Sequence, residues 1–289
     1  MDFGILKYSA FVKTVECGSF TKAAELLNYS QSGISRMIGD LEKEWKIVLL
    51  ERSRAGVRLT SDGQKLLPYA KSVCEEYRKL KMQIDDINGL AAGKIRIGTF
   101  SSVATHWLPD IIKRFRDDYP NIEFELLIGY YPEIEEWIAN GRVDCGFLTL
   151  PTKIEAETVF LMRDELFAVL PKGHRLENRD DIPLSEICTE PFIMLEKGNG
   201  AEVSALFDKC GLSPKETIKT LDDYAVMSMV EKGLGVGIMP GLILRRIPYD
   251  IVIRKLSVPA YRDIAFAVRD KKTASLAVKR FEDYLQYRN

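Results

Sequence analysis

The chain has 289 residues, of which 46% are hydrophobic and 29% are charged, and its formal net charge is −1. This length predicts about two folding units of ~150 residues each, and the composition is that of an ordinary globular protein. The near-neutral charge excludes a chain that is basic throughout, so any surface that binds nucleic acid has to be local.

Cysteine usage and the N-terminus indicate the compartment. Five cysteines are scattered along the chain without a C-x-x-C motif, which argues against a disulfide framework and for a reducing compartment. The N-terminus lacks the basic and apolar regions of a signal peptide. The most apolar stretch, Gly233 to Leu244, is too short and too often broken by Gly and Pro to span a bilayer. We therefore expect a cytoplasmic protein without a membrane partner.

The first sixty residues predict three helices and a hairpin. Apolar residues recur at helical spacing from Ile5 to Val15, and a second short helix opens at Thr21. Ser30 can cap a third helix that runs from Gln31 to about Trp45. A tight turn between two helices, followed by a helix that begins with small polar residues, is typical of a helix-turn-helix. Its recognition helix enters the major groove by the N-terminal end.

The polar face of the third helix suits DNA, because Gln pairs with adenine, Arg with guanine, and Ser with a base or a phosphate. Residues 49–59 then predict a hairpin with arginines around its turn, a wing that suits phosphate contacts or the minor groove. Amphipathic three-helix patterns with solvated arginines are also common, so spacing alone leaves a plain structural role open. The candidate DNA-binding residues are Gln31, Ser32, Ser35, Arg36, Arg52, Arg54 and Arg58.

Residues 11–59 resemble the DNA-binding domain of LysR-type transcriptional regulators. Five family patterns occur in the family's order and spacing, which makes the resemblance specific. They are GSF-x-x-AA-x-x-L at Gly18–Leu27, the S-Q pattern at Ser30–Arg36, LE at Leu41–Glu42, LF-x-R at Leu49–Arg52 and LT-x-x-G at Leu59–Gly63.

Four positions depart from the family pattern. Ser32 stands where a Pro is usual, Gly33 where an Ala is common, and Trp45-Lys46 where a Leu-Gly pair is usual. Gly inside a helix costs about 1 kcal/mol relative to Ala. Without the terminal Gly, the C-cap of the recognition helix has to form differently, and Trp45 is expected under the wing or at a subunit contact. Variation within the fold and weakened DNA binding both stay open.

A heptad pattern follows over residues 61–90. Its apolar seam comprises Leu66, Ala70, Val73, Tyr77, Leu80, Ile84 and Ile87. The seam predicts a helix that pairs with a second copy, or one that lies on its own domain. The resemblance favours dimerisation, which would place two recognition helices about one DNA turn apart. The glycines of Asn88–Gly93 predict a hinge.

The remaining residues alternate strand and helix patterns, which predicts a mostly parallel sheet with helices on both faces. Ligands in such sheets lie beyond the carboxyl ends of the strands, where residues 98–102, 148–151 and 222–224 are expected. Ser or Thr at such positions can also be only a helix cap. The candidate effector-binding residues are Thr99, Ser101, Ser102, Thr149 and Tyr224.

Residues 93–289 resemble the LysR effector domain, which is similar to a two-lobed periplasmic binding protein. The matches include D-x-G at Asp144–Gly146, P-x-x-H-x-L at Pro171–Leu176 and MV-x-x-GLGV at Met229–Val236. The resemblance implies a winged helix-turn-helix at 1–60 (its helix-turn-helix at about 18–37), a linker helix at 61–90 and an effector domain at 91–289. Lobe I would cover about 93–160 and 267–289, lobe II about 161–266, with chain crossings near Val159–Met162 and near Phe266.

The implied function is a sequence-specific DNA-binding transcription regulator that a small molecule in the interlobe cleft modulates. The implied partners are double-stranded DNA, the unidentified effector and a second copy of the chain, with dimers pairing into tetramers. RNA polymerase is a further candidate partner.

Patterns of catalysis and of cofactor binding are absent from the sequence. It contains no H-E-x-x-H, G-x-S-x-G or phosphate-loop motif. Gly233–Gly237 follows a helix and precedes a strand, the reverse of a dinucleotide fingerprint. Cys188 and Cys210 raise the idea of a redox sensor, but nothing electropositive brackets both. We expect no enzyme, cofactor or metal; the alternative to a regulator is a binding protein or enzyme built on the same α/β lobes.

Overall fold

The computed structural model describes residues 3–53, 56–87, 93–195 and 202–288. They form two compact units. The first unit comprises Met1–Lys94, Ile111–Glu123 and Ser275–Arg288, and the second comprises Ile95–Asp110 and Phe124–Ala274. No helix in these ranges is both long enough and apolar enough to cross a bilayer.

The N-terminal part of the first unit is a winged helix-turn-helix followed by a long helix, as predicted. Its elements are α1 (Phe3–Cys17), α2 (Phe20–Leu27), α3 (Gln31–Trp45), β1 (Leu50–Ser53), β2 (Gly56–Leu59) and α4 (Ser61–Ile87). Apolar side chains from every one of these elements pack into one core. Phe11, Ile34, Ile38 and Leu49 are completely buried there, and each such side chain contributes roughly 1.5–3 kcal/mol through its burial.

The end of α3 shows how the chain replaces the usual Leu-Gly pair. Lys46 takes the left-handed conformation, with φ of 57°, and its N–H donates to the carbonyl oxygens of Glu42 and Lys43. A lysine therefore does the work usually given to glycine, at a steric cost of about 1–2 kcal/mol. The ring of Trp45 stacks on Tyr8 of α1 with centroids 5.7 Å apart. It thus lies against α1, while a position under the wing or at a subunit contact stays a prediction.

The other helices and strands alternate along the chain. They are β3 (Gly93–Thr99), α5 (Ser101–His106), α6 (Leu108–Asp118), β4 (Ile122–Ile128), α7 (Tyr131–Ala139), β5 (Cys145–Leu150), β6 (Glu157–Pro171), β7 (Asp181–Ile182), α8 (Leu184–Ile187), β8 (Pro191–Leu195), α9 (Glu202–Cys210), β9 (Lys215–Thr220), α10 (Asp223–Glu231), β10 (Gly237–Pro240), β11 (Ile251–Leu256), β12 (Tyr261–Val268) and α11 (Leu276–Tyr284). Short 3-10 helices form at Ile243–Arg245 and Leu285–Tyr287. Gly93 begins a strand, and the rest of the predicted hinge, residues 88–92, lies outside the described residues.

The main sheet is mixed, so the prediction of a mostly parallel sheet is wrong. Its order is β4-β3-β5-β12-β6-β11-β7, and β10 also pairs with β6. The pairs β3–β5 and β7–β11 are parallel. Strand β12 runs antiparallel to both β5 and β6, and β10 and β11 run antiparallel to β6. The sheet is mixed because the chain passes twice, through β6 and β12, between the strands β3 to β5 and the strands β7, β10 and β11. Strands β6 and β12 lie side by side and run in opposite directions.

Strand β6 alternates its side chains between two cores, as a strand with both faces covered must. Leu166, Ala168 and Leu170 pack into one core together with Phe207 of α9. Val169 packs into the other core with side chains of α10. Helices therefore cover both faces of this part of the sheet, as predicted. The predicted crossings coincide with β6 and β12, where Phe266 pairs with Val159.

Candidate DNA-binding and effector-binding sites

The face of α3 opposite the core carries the predicted DNA-contacting residues. Ile34, Ile38 and Leu41 point inward. Gln31, Ser32 and Arg36 are exposed, and Ser35 is half-buried. The helical period thus brings four of the seven predicted DNA-binding residues to the accessible side of α3.

The side chain of Ser30 caps the N-terminus of α3 and holds it in place. The Ser30 hydroxyl accepts a hydrogen bond of 3.0 Å from the N–H of Gly33 and lies 3.1 Å from the Ser32 hydroxyl. A Cβ at position 33 would lie 3.1 Å from the Ser30 oxygen, so glycine leaves this cap room that alanine would reduce. A capped helix N-terminus also attracts phosphate through its remaining N–H groups and its dipole.

The wing is a two-stranded hairpin in the predicted place. Leu50 pairs with Leu59, and Glu51 with Arg58. Arg58 is exposed. Arg54 lies outside the described residues, as does the side chain of Arg52. The wing's arginines therefore stay a prediction apart from the exposure of Arg58.

Glu42 and Gly63, which the sequence showed only as letters of the family patterns, fix the segment that leads into the wing against α3 and α4. The carboxylate of Glu42 accepts hydrogen bonds from the N–H groups of Leu49, at 2.7 Å, and Leu50, at 3.2 Å. Gly63 lets α4 approach the same segment, because a Cβ there would lie 2.2 Å from the carbonyl oxygen of Leu49. These roles explain physically why a Glu and a Gly stand at these positions.

The predicted effector-binding residues lie in two regions, four of them near the ends of β3 and β5 and one on α10. Thr99 and Thr149 are at neighbouring strand ends, because β3 and β5 are parallel partners. Ser101 and Ser102 begin α5, whose N-cap is Phe100 without a side-chain cap, so capping does not explain these serines. Tyr224 belongs to α10, which packs on β6 and β8 to β11.

Burial divides these five residues further. Thr99 and Ser102 are completely buried. Thr99 donates to the carbonyl oxygen of Phe100 at 3.4 Å, and Ser102 accepts from Arg262 at 2.8 Å. Ser101, Thr149 and Tyr224 are half-buried and are the three that a ligand could reach without displacing a buried bond.

A buried ionic network surrounds Ser102, and sequence reasoning missed it. The side chain of Arg262 is completely buried. It donates to Asp164 from Nε at 3.0 Å and from Nη2 at 2.8 Å, and to the Tyr131 oxygen at 2.7 Å. The ring of Phe100 lies 4.9 Å from the guanidinium. The other oxygen of Asp164 accepts from the N–H of Leu242 at 2.9 Å.

The network keeps a charged arginine inside the second unit. Burial alone lowers the pKa of Arg262, but Tyr131 and the carboxylates of Asp164 and Glu202 raise it above the ordinary value. Burial has the opposite effect on Tyr131: it raises the pKa of the phenol, which therefore stays protonated. The partners of Arg262 are up to 160 residues away in the chain, and no local motif signals them.

Glu202, at the start of α9, is a further residue that the sequence did not reveal. Its Oε1 atom is buried and has no hydrogen-bond partner among the described residues. The carboxylate is close enough to Tyr131 and Arg262 to raise the pKa of both. An oxygen placed in this way can accept a hydrogen bond from a donor that a ligand brings.

Comparisons of the sequence with known proteins match nearly the whole chain to one family. The family model of the LysR substrate-binding domain matches residues 88–289, and that of bacterial helix-turn-helix regulators of the LysR family matches residues 6–64. The HTH-type transcriptional regulator YvbU of Bacillus subtilis is 33% identical over 96% of each chain.

Solved structures show the same fold. HinK, a LysR family transcriptional regulator from Pseudomonas aeruginosa, is 26% identical with a TM-score of 0.60 and covers 98% of this chain and 97% of its own. Full-length CbnR in a complex with its target DNA has a TM-score of 0.57 over 99% of each chain. At 22% identity, that likeness concerns the fold alone.

Proposed function

The chain belongs to the LysR family of bacterial transcription regulators, and on that premise we propose how its residues divide the tasks of reading DNA and sensing an effector. It is a DNA-binding transcription regulator whose activity a small-molecule effector modulates, and it is not an enzyme. The observation that carries the proposal is the exposed polar face of α3 beside a capped helix N-terminus.

We propose that Gln31, Ser32, Ser35 and Arg36 contact bases in the major groove. Their place on the first turns of the recognition helix supports this role. Each well-formed bidentate contact to a base discriminates by about 1–3 kcal/mol. Arg52, Arg54 and Arg58 of the wing are proposed to hold the DNA backbone, which positions the protein without reading sequence.

The test is footprinting on the DNA upstream of the protein's own gene across a salt series. A pseudo-palindromic site that survives competitor DNA is expected. Replacing Arg36 by Ala should abolish the preference for that site over random DNA. Replacing Arg58 by Ala should weaken binding to both and flatten the salt dependence by about one phosphate contact. Equal effects of the two changes on specific and random DNA would contradict this division.

We propose that the effector binds between the two lobes of the C-terminal domain, against Thr99, Ser101, Ser102 and Thr149 near the ends of β3 and β5 and against Tyr224 of α10. The support is the convergence of these strand ends and the unsatisfied Oε1 of Glu202 in the same unit. Ser102 would act through its bond to Arg262. Coupling between effector and DNA is expected at about 1–3 kcal/mol. Neither a metal nor a further cofactor is proposed.

Thermal unfolding tests the effector site. Metabolites handled by the products of the flanking genes are screened for stabilisation, which reaches about 2.7 kcal/mol at a hundredfold excess over Kd. Thr149→Val keeps the shape of the side chain and removes the hydroxyl that is proposed to contact the effector, so it should reduce that stabilisation. Thr158→Val, at an exposed position of β6, is the matched control. Equal stabilisation of both variants would remove Thr149 from the site.

We propose that the chain forms a homodimer through α4 and that dimers pair into tetramers. The support is a row of apolar side chains on α4 with exposed fractions of 72% at Tyr69, 45% at Val73, 56% at Leu80 and 44% at Ile84. Ala70 of the predicted seam is instead packed into the N-terminal core. Leu80→Glu should dissociate the dimer in sedimentation, while the neighbouring exposed Lys79→Glu should not.

The functional division of the chain is proposed as residues 1–60 for DNA binding, 61–90 for dimerisation and 91–289 for effector binding. RNA polymerase is a further proposed partner, since an activator has to act on it. We also place the protein in the cytoplasm, where the chromosome that it regulates lies.

A further inference from the structure

We propose that the last residues of the chain position the recognition helix. Leu285–Arg288, here called the C-terminal brace, supports the carboxyl end of α2 from behind, and Arg288 is its positioning residue. The inference rests on the proposed DNA-reading role of α3 and adds a part of the chain that lies more than 200 residues away from it.

The brace contacts α2 directly. Nη2 of Arg288 donates a hydrogen bond of 2.8 Å to the backbone oxygen of Glu25, 263 residues away in the chain. Nη1 donates to the backbone oxygen of Leu285 at 2.6 Å, which holds the guanidinium in place. Arg288 is only 5% exposed and Leu285 is completely buried. Arginine side chains are rarely buried to this extent unless they are paired, so this burial indicates a specific contact.

The contacted carbonyl lies at a sensitive position. Glu25 is in the last turn of α2, which ends at Asn28 in the left-handed conformation with φ of 57°. The Asn28 N–H reaches the same carbonyl oxygen at 3.4 Å, so the bond from Arg288 is the shorter of the two. Ser30 follows two residues later and caps α3. A shift of this carbonyl therefore moves the turn that places Gln31.

The charge of Arg288 suits this position. The carboxyl end of a helix carries a partial negative charge, which a cation stabilises. Burial lowers the pKa of Arg288 to about 10, so the guanidinium still carries its charge at neutral pH. Lysine would keep this charge but could not donate two bonds in the same fork.

Helix α11, which directly precedes the brace, is joined to α4 by polar contacts and so fixes the position of the brace. Lys81 of α4 pairs with Asp283 at 2.9 Å. Asp118 of α6 accepts from the phenol of Tyr284 and pairs with Arg78 of α4.

A cavity of about 590 Å³ lies beside this junction, and residues of α1, α2, α3, α4, α6 and α11 contribute to its lining. The 3-10 helix Leu285–Tyr287 is in contact with α2. Apolar packing of Leu285 and the hydrogen bond from Arg288 to Glu25 therefore act together at this contact.

The test compares Arg288→Ala and Arg288→Lys with the control Lys279→Ala in the full-length protein. Lys279 is on α11, the helix that precedes the brace, and is exposed, so the control also removes one positive charge. Hydrogen exchange of the free protein is measured over residues 24–30 and over the wing. We expect Arg288→Ala to speed exchange at least fivefold over residues 24–30 only, and Arg288→Lys to give an intermediate value. Lys279→Ala should match the parent protein.

The second measurement is DNA affinity across a salt series. Arg288→Ala should weaken binding to the specific site about tenfold and leave the salt slope unchanged, because Arg288 does not touch DNA. A slope reduced by about one would identify a direct phosphate contact and overturn the proposal. Unchanged exchange over residues 24–30 would overturn it as well.

The two measurements separate the brace from the proposed function. If the parent protein shows no sequence-specific binding, the DNA-reading role of α3 fails, while hydrogen exchange still decides whether Arg288 holds the turn. If Arg288→Ala does not fold, Arg288→Lys carries both comparisons. Parent-like values for a folded Arg288→Lys variant would then reduce the requirement to charge and contradict the positioning role of the fork.

Discussion

The polar face of α3 presents side chains to a partner, whereas the network around Arg262 keeps charged side chains inside the protein. Gln31 and Arg36 are exposed on one helix and lie five positions apart. Asp164 and Arg262 are buried and 98 residues apart. A surface that meets a partner needs only a rigid base and a helical period. A buried charge needs partners from distant elements, because each N–H group that stays unsatisfied costs free energy.

The comparison predicts where a single change is most damaging, and the largest effect is expected at Asp164. Replacing it by Ala leaves the buried Arg262 without its carboxylate, which should lower the free energy of unfolding by about 3–5 kcal/mol. Chemical denaturation measures this. Arg36→Ala, on the exposed face of α3, should change stability by less than about 0.5 kcal/mol.

The matched control is the double variant Asp164→Leu with Arg262→Met. Removing both charges should recover much of the loss, since an apolar pair avoids the cost of desolvating ions. If Asp164→Ala were as mild as Arg36→Ala, the contrast between the two regions would collapse.

Glu42 tests whether the exposed DNA-binding region also depends on an internal charge. Its carboxylate accepts two backbone N–H groups that join α3 to the wing. Glu42→Ala should cost about 1.5–3 kcal/mol of stability, the range for hydrogen bonds to charged groups. Glu42→Gln keeps one acceptor and should cost less. Identical unfolding curves for the two variants would mean that the charge does not matter there.

Removing the cap of α3 should lower the free energy of unfolding by less than Glu42→Ala does, and it should also weaken DNA binding. Ser30→Ala removes the acceptor for the Gly33 N–H and should cost about 1 kcal/mol. Ser30→Asp restores a capping oxygen and should recover the stability. Thermal unfolding checks both, and a stable Ser30→Ala variant would show that the turn is held without the cap.

The smallest effect is expected at Lys46 and has the opposite sign. Its φ of 57° is unfavourable for a residue with a side chain. Lys46→Gly should therefore stabilise the protein by up to about 1 kcal/mol. Lys46→Ala keeps the Cβ and should bring little gain. A loss of stability with glycine would show that the lysine side chain makes a compensating contact.

Local features of the chain were predictable from the sequence. The cap at Ser30, the turn at Asn28 and the buried stripe of α3 each depend on residues within a few positions of one another. The same holds for the wing hairpin and for the apolar row of α4, whose residue Ala70 packs into the N-terminal core, as in the alternative of a helix that lies on its own domain. The general alternation of strands and helices in residues 93–195 and 202–288 also followed from periodicity, but the short elements α5, β7 and α8 did not.

The sequence by itself therefore determined the elements, the family and the exposed face of α3, because hydrophobic period and capping act over one or two helical turns. Only the tertiary structure decided that the sheet is mixed, that the charge of Arg262 is paired with that of Asp164, and that Arg288 reaches the backbone oxygen of Glu25. Those contacts join residues 98 and 263 positions apart. No local pattern encodes them, since a long-range partner is selected by the three-dimensional packing of the whole chain.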